Sequence, residues 1–293
     1  MDKTRFHKEI THTSSGDLPQ YNCKEKVLLK VFSYNGKFEP ELHSHQFYLI
    51  LWIKKGSGIH SINFKDYPLK DNQIFFLAPG DVHRGNCMNG EIEQIGIPFR
   101  DELLKLLPLN VADWIRLEIF NNIGDAPNAI IDTGTAETLN KWIEQLKDLL
   151  TDSDKDTDYC AAATLSVILK LLKKRALWNN KFMTFPPKKL EILYKFRKSI
   201  NDNLKKTHSP ASYSEKIGVA ESKLSAVTKE LRGLSPRKII NEEIIIKAKR
   251  LLAEGNLIIK EISEELGFAD APHFVKFFKK ETGMTPNQFK ENL

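Results

Sequence analysis

The chain has 293 residues, enough for two domains, and its 41% hydrophobic and 28% charged content is typical of a soluble globular protein. Its longest apolar run, Phe47–Ile53, is far shorter than the roughly 20 residues that cross a bilayer. The three cysteines are far apart and show neither a disulfide framework nor metal-binding spacing. The amino terminus lacks the apolar segment of a signal peptide. We therefore expect a cytoplasmic protein without a membrane partner.

The net charge of +6 is unevenly distributed along the chain. Residues 188–293 contain 21 Lys and Arg against 14 Asp and Glu, a net charge of +7, whereas residues 1–187 carry a net charge of −1. A basic excess confined to one part of the chain is expected of a domain that meets a polyanion such as double-stranded DNA. A solvated lysine-rich surface is the alternative explanation of the charge alone.

Residues 1–100 predict a β domain. Short segments rich in β-branched and aromatic residues alternate with Gly and Pro turns, which is typical of a sandwich or a barrel. The predicted strands are Val27–Tyr34, Phe47–Ile53, Ile59–Phe64, Gln73–Leu77 and Glu91–Ile97. Alternation along the second of these strands puts Tyr48 and Trp52 on one side of the sheet. There they suit either a ligand pocket or ordinary core packing.

Three histidines lie next to these strands: His43 and His45 before one strand, and His83 after a Pro-Gly turn. They could ligate a transition metal or form the polar wall of a small-molecule pocket. The arrangement resembles the cupin fold, in which an H-x-H motif, a following glutamate and a later histidine hold a metal. Leu49 and Ile50 stand where the glutamate is expected, so we assign no metal and no cofactor. The predicted effector pocket consists of His43, His45, Tyr48, Trp52 and His83.

Residues 101–178 predict helices. Thr135–Leu150 has an apolar stripe at three- and four-residue steps opposite charged residues, and Tyr159–Trp178 has a second apolar face. We expect a homodimer formed through this segment; the alternative is that both helices pack against the β domain. The predicted dimerisation residues are Leu139, Trp142, Ile143, Leu146 and Leu150. Residues 179–187 end in two prolines and predict a semi-rigid linker.

The carboxy-terminal third contains one short helical sequence pattern twice. Ser214-Glu-Lys-Ile-Gly218 is echoed 49 residues later by Ser263-Glu-Glu-Leu-Gly267, and Gly233-Leu-Ser-Pro236 is echoed 50 residues later by Gly283-Met-Thr-Pro286. Each copy predicts a short helix, a glycine turn and a second helix with small or basic residues outside, the pattern of a helix-turn-helix. One copy would be a weak signal, because many helix pairs share it. Two matched copies in a basic region predict an all-α DNA-binding domain.

The stretch Ile262–Pro286, ISEELGFADAPHFVKFFKKETGMTP, resembles the signature of the AraC/XylS transcription regulators, which reads I-A-x-x-x-G-F-x-d-x-S-y-F-x-r-x-F-K-k-x-x-G-x-T-P. The resemblance is close over residues 188–293 and looser over the β domain, which resembles the effector-binding arm of that family. Pro272 replaces the usual serine, and Thr228 replaces the usual phenylalanine of the first copy. The implied fold class is α+β multidomain: a cupin-like β-barrel or jelly roll with a helical dimerisation segment, then an all-α domain with two helix-turn-helix motifs.

The resemblance implies that the second helix of each copy faces DNA. The base-reading candidates by position are Ser222, Ser225 and Ala226 in the first copy and Ala271, Pro272, Val275 and Lys276 in the second. The other predicted DNA-binding residues are Lys223, Lys229 and Lys280, which are expected on phosphates, and His273. Lys276 is able to donate to guanine, so we expect the second copy to contribute more base specificity.

The family resemblance implies a sequence-specific transcription regulator and not an enzyme. It implies a small-molecule effector in the amino-terminal domain, a homodimer on DNA and a contact with RNA polymerase. One alternative is a metal-dependent cupin enzyme fused to a DNA-binding module, which metal content would distinguish. The other is a regulator whose β domain only dimerises, for which we expect a solid core in place of an enclosed cavity.

Overall fold

The structure, a computed structural model, describes residues 20–21, 28–36, 42–87, 91–115, 119–120, 128–152, 156–178 and 187–293. Contacts divide these residues into two compact units, a first unit of residues 20–178 and a second unit of residues 187–293. The predicted linker, residues 179–187, lies outside the described residues except for its last residue, Pro187. No helix in the described ranges is both long and apolar enough to cross a membrane.

The first unit contains two β-sheets. The strands in the described ranges are β1 Gln20–Tyr21, β2 Phe32–Gly36, β3 His43–His45, β4 Tyr48–Lys55, β5 Gly58–Ile62, β6 Lys65–Pro68, β7 Gln73–Leu77, β8 Val82–Cys87, β9 Ile92–Phe99, β10 Asn128–Ile130 and β11 Leu177–Trp178. The five-stranded sheet has the order β1-β3-β8-β5-β6 and the six-stranded sheet has the order β11-β10-β7-β4-β9-β2. These strands form a predominantly antiparallel, cupin-like domain without closing into a barrel, so the sandwich is the arrangement that the chain adopts.

The strand β4 is buried on both faces. Leu49, Leu51 and Ile53 pack with Phe75 of β7 and Ile62 of the five-stranded sheet, so this face lies between the two sheets. Side chains alternate along a strand, so the intervening residues of β4 lie on the opposite face of the six-stranded sheet. A strand with two buried faces has to be apolar throughout, which explains the uninterrupted run in the sequence.

Helices cover that opposite face of the six-stranded sheet. The helices of the first unit are α1 Asp101–Leu104, α2 Leu109–Trp114, α3 Thr133–Leu149 and α4 Thr157–Arg175. Leu139, Ile143 and Leu146 of α3 are buried in one core with Trp52 of β4 and Leu165 of α4.

The packing of α3 corrects one prediction. Its apolar stripe is buried within its own chain, and Trp142 and Leu150 pack against the same core. Full burial of a Leu or Ile side chain is worth roughly 1.5–3 kcal/mol, and this gain is made inside the subunit. Because the six-stranded sheet presents a second apolar face that must be covered, Leu139, Ile143 and Leu146 are not free to pair with another subunit, whereas Trp142 and Leu150 remain partly exposed.

The second unit is entirely helical in the described residues. Its helices are α5 Pro187–Asn203, α6 Pro210–Lys216, α7 Glu221–Arg232, α8 Pro236–Glu254, α9 Ile259–Glu265, α10 Ala271–Thr282 and α11 Pro286–Glu291. Both α7 and α10 end at a left-handed glycine, Gly233 or Gly283. The next helix then starts at an N-cap, Ser235 or Thr285, followed by proline. The repeated Gly-x-Ser/Thr-Pro sequence is thus a matched stop and start signal.

The turn glycines of the two copies differ in their surroundings. Gly218 has φ +67° and open space where a Cβ would lie. Gly267 has φ +76°, and a Cβ there would lie 2.6 Å from the carbonyl oxygen of Lys205 and 2.8 Å from that of Leu204. The second copy therefore needs glycine for two reasons, a left-handed backbone and a close approach to the chain that follows α5.

We predict that Gly267→Ala destabilises the second unit more than Gly218→Ala does. A left-handed backbone costs a non-glycine residue about 1–2 kcal/mol at either position, and Gly267→Ala adds an overlap with backbone oxygens. Urea unfolding followed by circular dichroism is the measurement. All four tryptophans lie in the first unit. A loss of helical circular dichroism signal without a change in tryptophan fluorescence therefore indicates unfolding of the second unit. Equal losses of stability would contradict the close approach.

Candidate functional site

The two helix-turn-helix copies are α6 with α7 and α9 with α10. In each copy the second helix buries an apolar inner face, with Leu224 and Val227 in α7 and Phe274 and Phe278 in α10. Thr228 occupies a fully buried position in α7, where its hydroxyl donates to the carbonyl oxygen of Ser225 at 3.2 Å. The helix itself therefore satisfies the hydroxyl that replaces an aromatic ring in the family pattern.

The predicted DNA-binding residues all lie on the outer faces of α7 and α10. Those that are exposed are Ser222, Lys223, Ala226, Lys229, Pro272, His273, Lys276 and Lys280. Those that are partly exposed are Ser225, Ala271 and Val275. The two recognition helices therefore present short or basic side chains to solvent, as the sequence predicted, and whether these residues touch DNA stays a prediction.

The lysines of the second unit fall into two groups. One group is paired with carboxylates, as in Lys189–Glu230, Lys205–Glu265 and Lys238–Glu281. The hydrogen bond within the last pair lowers the pKa of Glu281 and raises the pKa of Lys238. Within residues 187–293, by contrast, no carboxylate forms an ion pair with Lys223, Lys229 or Lys276. Their charge is available to an external anion.

The amino termini of the two recognition helices also differ. Asp270 caps α10, where its carboxylate accepts a hydrogen bond of 2.8 Å from the backbone N–H of His273. Ala220 precedes α7 and makes no side-chain cap. The first-turn amides of α7 therefore remain open to a phosphate oxygen, whereas those of α10 already face a carboxylate.

In the first unit, four histidines meet on one face of the five-stranded sheet. His43 and His45 are two residues apart on β3, His43 lies opposite His83 in the pairing of β3 with β8, and His60 lies on β5. All four are buried, with 0–8% of each side chain exposed. The ring of His60 packs edge-on against Phe75 of the six-stranded sheet at 4.6 Å, so the cluster lies between the sheets.

The imidazoles form a chain through His83. Nε2 of His83 lies 2.8 Å from Nε2 of His45, and Nδ1 of His83 lies 3.1 Å from Nε2 of His60. A neutral imidazole has one N–H, so His83 donates through one nitrogen and accepts through the other. Burial, with a smaller contribution from His43, lowers the pKa of His45 and of His60 to about 3 and the pKa of His83 well below its ordinary value. These three rings are therefore neutral at physiological pH.

Backbone and side-chain hydrogen bonds fix the start of β8 against its neighbours. The carboxylate of Asp81 accepts a hydrogen bond of 2.7 Å from Nδ2 of Asn63, and Oδ1 of Asn63 accepts from the backbone N–H of Val82. The backbone N–H of Gly80 donates to the carbonyl oxygen of His45 at 2.7 Å. The histidine of β8 is thus held in register with those of β3 and β5.

The structure brings together three of the five residues of the predicted effector pocket. His43, His45 and His83 meet, but Tyr48 and Trp52 lie in the core between the six-stranded sheet and the helices. Tyr48 stacks on Phe99 at 5.1 Å there, as ordinary core packing. The prediction of one shared pocket is corrected because alternation along β4 sends its even-numbered side chains away from the histidines.

His60 was missed in the sequence, although a signal was present. It alternates with Ile62 along β5, and Ile62 is part of the core between the sheets. Two-residue periodicity therefore places His60 on the inner face, where an imidazole is unusual. The imperfect apolar pattern of Ile59–Phe64 hid this relationship.

A chain that combines a helical unit with two exposed, basic recognition helices and a β-sandwich unit with a buried polar cluster has the features of a DNA-binding regulator with a sensing domain. The sequence family described as AraC-like ligand binding domain matches residues 33–159, and the family described as Helix-turn-helix domain matches residues 213–292. The chain belongs to the AraC family of transcriptional regulators, with an effector-binding amino-terminal domain and a helix-turn-helix DNA-binding domain.

Two relatives match this chain over most of its length. The HTH-type transcriptional activator RhaR of Escherichia coli O1:K1 is 24% identical over 250 residues, which are 85% of this chain and 86% of RhaR. RhaR of Enterobacter sp. strain 638 is 23% identical over 252 residues, again 85% of this chain and 86% of the relative.

Among solved structures, fatty-acid-bound ToxT from Vibrio cholerae strain SCE256 is 17% identical, has a TM-score of 0.44 and covers 89% of this chain and 94% of ToxT. ToxT from strain O395 is 16% identical, has a TM-score of 0.47 and covers 90% of this chain and 97% of ToxT.

We predict that the first unit loses stability as the pH falls below about 6.5. Histidines of the unfolded chain titrate near that value, while the buried rings stay neutral down to a pKa of about 3 for His45 and His60. The unfolded state thus binds more protons, and each such histidine lowers the free energy of unfolding by up to about 1.4 kcal/mol per pH unit. The free energy of unfolding of the first unit is therefore highest above about pH 6.5 and decreases as the pH falls below that value.

Urea unfolding followed by tryptophan fluorescence measures this loss, because every tryptophan lies in the first unit. The window from about pH 6.5 to 5 avoids most of the titration of carboxylates. An unfolding free energy that stays constant across this window would contradict the neutral histidine cluster.

Proposed function

We propose that α7 and α10 are the two surfaces that read DNA. The observation that supports this most strongly is the repetition: two matched helix-turn-helix copies present Lys223, Lys229 and Lys276, which form no ion pair within residues 187–293, in the basic part of the chain. Phosphate contacts by such lysines position a protein on the duplex, and contacts to base edges specify the sequence.

The two recognition helices are proposed to contribute unequally. On α10, Lys276 is placed to donate to guanine, and Pro272 and Val275 offer apolar surface to thymine methyl groups. On α7, Ser222, Ser225 and Ala226 have short side chains, and Lys223 and Lys229 suit phosphates. The uncapped amino terminus of α7 supports the same division, because its amides suit a phosphate better than the capped terminus of α10 does.

Lys276→Ala is expected to reduce discrimination between the operator and random DNA by about 1–3 kcal/mol, because it removes a base contact. Lys229→Ala is expected to weaken binding to all sequences alike and to reduce the salt slope of log K by about 0.9, the value for one phosphate contact. Fluorescence anisotropy at several salt concentrations, on an operator selected from a random pool, is the measurement.

The matched control is Lys195→Ala, because the ammonium of Lys195 is already paired with Glu191 on the exposed side of α5. It should leave both the salt slope and the discrimination unchanged. Equal losses on operator and random DNA for Lys276→Ala would remove it from the base-reading set.

We further propose that the protein is a homodimer on DNA. With the stripe of α3 buried, the apolar side chains left exposed on the helices include Tyr159 and Val167 of α4, which are 57% and 41% exposed. They lie eight residues apart and share one side of the helix. This side of α4 is the surface that we assign to the subunit contact, in place of the predicted residues on α3.

Replacing Tyr159 and Val167 with Asp together is expected to raise the dimer dissociation constant at least about tenfold, which corresponds to about 1.4 kcal/mol. The reason is that a charge is disfavoured in the centre of an interface. Sedimentation velocity measures the effect. Leu109→Asp, which alters an exposed leucine of α2, is the control. A wild-type protein that stays monomeric at all concentrations, with and without DNA, would refute the proposal.

The remaining assignments follow from the family. We propose that an effector bound in the first unit changes the affinity of the second unit for DNA by favouring one arrangement of the dimer. We propose a contact with RNA polymerase, a cytoplasmic location and no catalytic activity. The RhaR relatives are named transcriptional activators, which favours activation over repression.

A further inference from the structure

The connecting segment between α5 and α6, residues 204–209, contacts both helix-turn-helix copies. Its last residue, Ser209, is the N-cap of α6 in the first copy. Its first two carbonyl oxygens lie against Gly267, the turn glycine of the second copy. We propose that this segment holds α7 and α10 at one separation and angle, with His208 as the positioning residue, and so sets the spacing of DNA sites that the protein accepts. The inference rests on the proposed reading of DNA by these two helices.

Two hydrogen bonds join the connecting segment to the first copy and to α8. The hydroxyl of Tyr213 in α6 donates to the carbonyl oxygen of Thr207 at 2.6 Å. Nη1 of Arg237, in the first turn of α8, donates to the carbonyl oxygen of His208 at 2.8 Å. The side chain of Tyr213 is fully buried, so its hydroxyl cannot give up this acceptor without losing a hydrogen bond. The segment is therefore fixed to α6 and to the start of α8.

The imidazole of His208 joins the connecting segment to the second copy. Its Nε2 lies 2.8 Å from the carbonyl oxygen of Leu266, so this nitrogen carries the proton and donates. Leu266 is the C-cap of α9. Carbonyl groups at the end of a helix have no partner within the helix, and a donor placed there also faces the negative end of the helix dipole. His208 therefore supplies a donor that α9 itself does not.

His208 also reaches the recognition helix α10 through an aromatic ring. The centroid of its imidazole lies 5.2 Å from that of Phe268, which it meets edge-on. The ring of Phe268 lies 5.5 Å from that of Phe274 and 5.2 Å from that of Phe277, and both of these residues belong to α10. Closely packed rings transmit a displacement because they leave no space to absorb it. The position of His208 is thus passed to α10.

The long helix α8 joins the same two copies, because it follows α7 and precedes α9 in the chain. A long helix curves and bends, so one such connection leaves the copies some freedom to rotate relative to each other. The connection from α6 through residues 204–209 to α9 restrains that rotation. The ion pair of Lys205 with Glu265 lies on this connection, but pairs as exposed as this one contribute little. The restraint therefore depends on His208.

The spacing of two sites along the duplex is the property that such a restraint would detect. Two recognition helices on one face of DNA contact major-groove sites about one helical turn apart, roughly 34 Å. One added base pair moves the sites apart by about 3.4 Å and rotates one of them by about 35°. A fixed pair of helices cannot follow this change, whereas a loosely held pair follows it in part.

The test compares two DNA duplexes on each form of the full chain by fluorescence anisotropy. One duplex carries the site of a single subunit, taken from an operator selected from a random pool. The other has one base pair added between the two major-groove contacts, which methylation interference locates. The wild-type chain should bind the second duplex at least about tenfold more weakly, the loss expected when one base pair is misread. His208→Ala should reduce this ratio by about three- to tenfold, as expected for the removal of one hydrogen bond.

Two further variants separate positioning from stability. His208→Gln places an amide N–H near the position of the imidazole Nε2 and should restore the wild-type ratio. Thr285→Ala removes the N-cap of α11, where the hydroxyl accepts from the backbone N–H of Gln288 at 3.3 Å. It should lower stability and leave the ratio unchanged. Because the ratio compares two duplexes on the same protein, a smaller folded fraction cancels from it.

Three results would overturn the role of the connecting segment: equal binding of both duplexes by the wild-type chain, a wild-type ratio in His208→Ala, or the same loss of ratio in Thr285→Ala. Failure of this inference alone is recognisable. In that case Lys276→Ala and Lys229→Ala behave as predicted while His208→Ala keeps the wild-type ratio. If neither lysine variant changes binding, the proposed DNA-binding surfaces fail, and the inference fails with them.

Discussion

The first unit depends on one constraint: β4 is buried on both of its faces. Its odd-numbered side chains fill the space between the two sheets, and its even-numbered side chains must be covered by something else. The helices α3 and α4 provide that cover, so the strongest amphipathic stripe in the sequence is needed inside the subunit. The same alternation separates Trp52 from the histidines. One strand thus decides the location of the core, the role of the helices that cover it and the residues that surround the polar cluster.

The second unit contains two copies of one helix-turn-helix motif, and the two copies have different surroundings. Both copies use the same glycine and proline signals, so their helices start and stop alike. Their surroundings differ, because Gly267 lies against carbonyl oxygens after α5 whereas Gly218 faces open space. His208 accentuates the difference: its Nε2 lies 2.8 Å from the carbonyl oxygen of Leu266, which ties the second copy to the segment before α6. The two copies are therefore anchored to this segment differently: the second through Gly267 and the carbonyl oxygen of Leu266, the first through the hydroxyl of Tyr213, which donates to the carbonyl oxygen of Thr207 at 2.6 Å.

The histidine cluster and the recognition helices illustrate two uses of polar residues. On α7 and α10, Lys223, Lys229 and Lys276 are exposed to solvent and form no ion pair within residues 187–293. Between the sheets, His45, His60 and His83 are dehydrated, kept neutral and connected in a chain. Their position inside the effector-binding domain gives the regulator a site whose chemistry differs from that of a purely apolar pocket.

The sequence alone determined whatever depends on neighbours along the chain. The helix-turn-helix copies, their caps and the face of α10 that exposes Lys276 follow from local periodicity and turn chemistry, so they could be predicted residue by residue. The two faces of β4 were predicted as well, but not what would cover each of them. That Leu139 shares one core with Trp52, that His60 contacts His83, and that Gly267 lies against the chain after α5 are pairings between distant segments. Only the tertiary structure decided them, because an apolar or polar face does not specify its partner until the chain brings the two together.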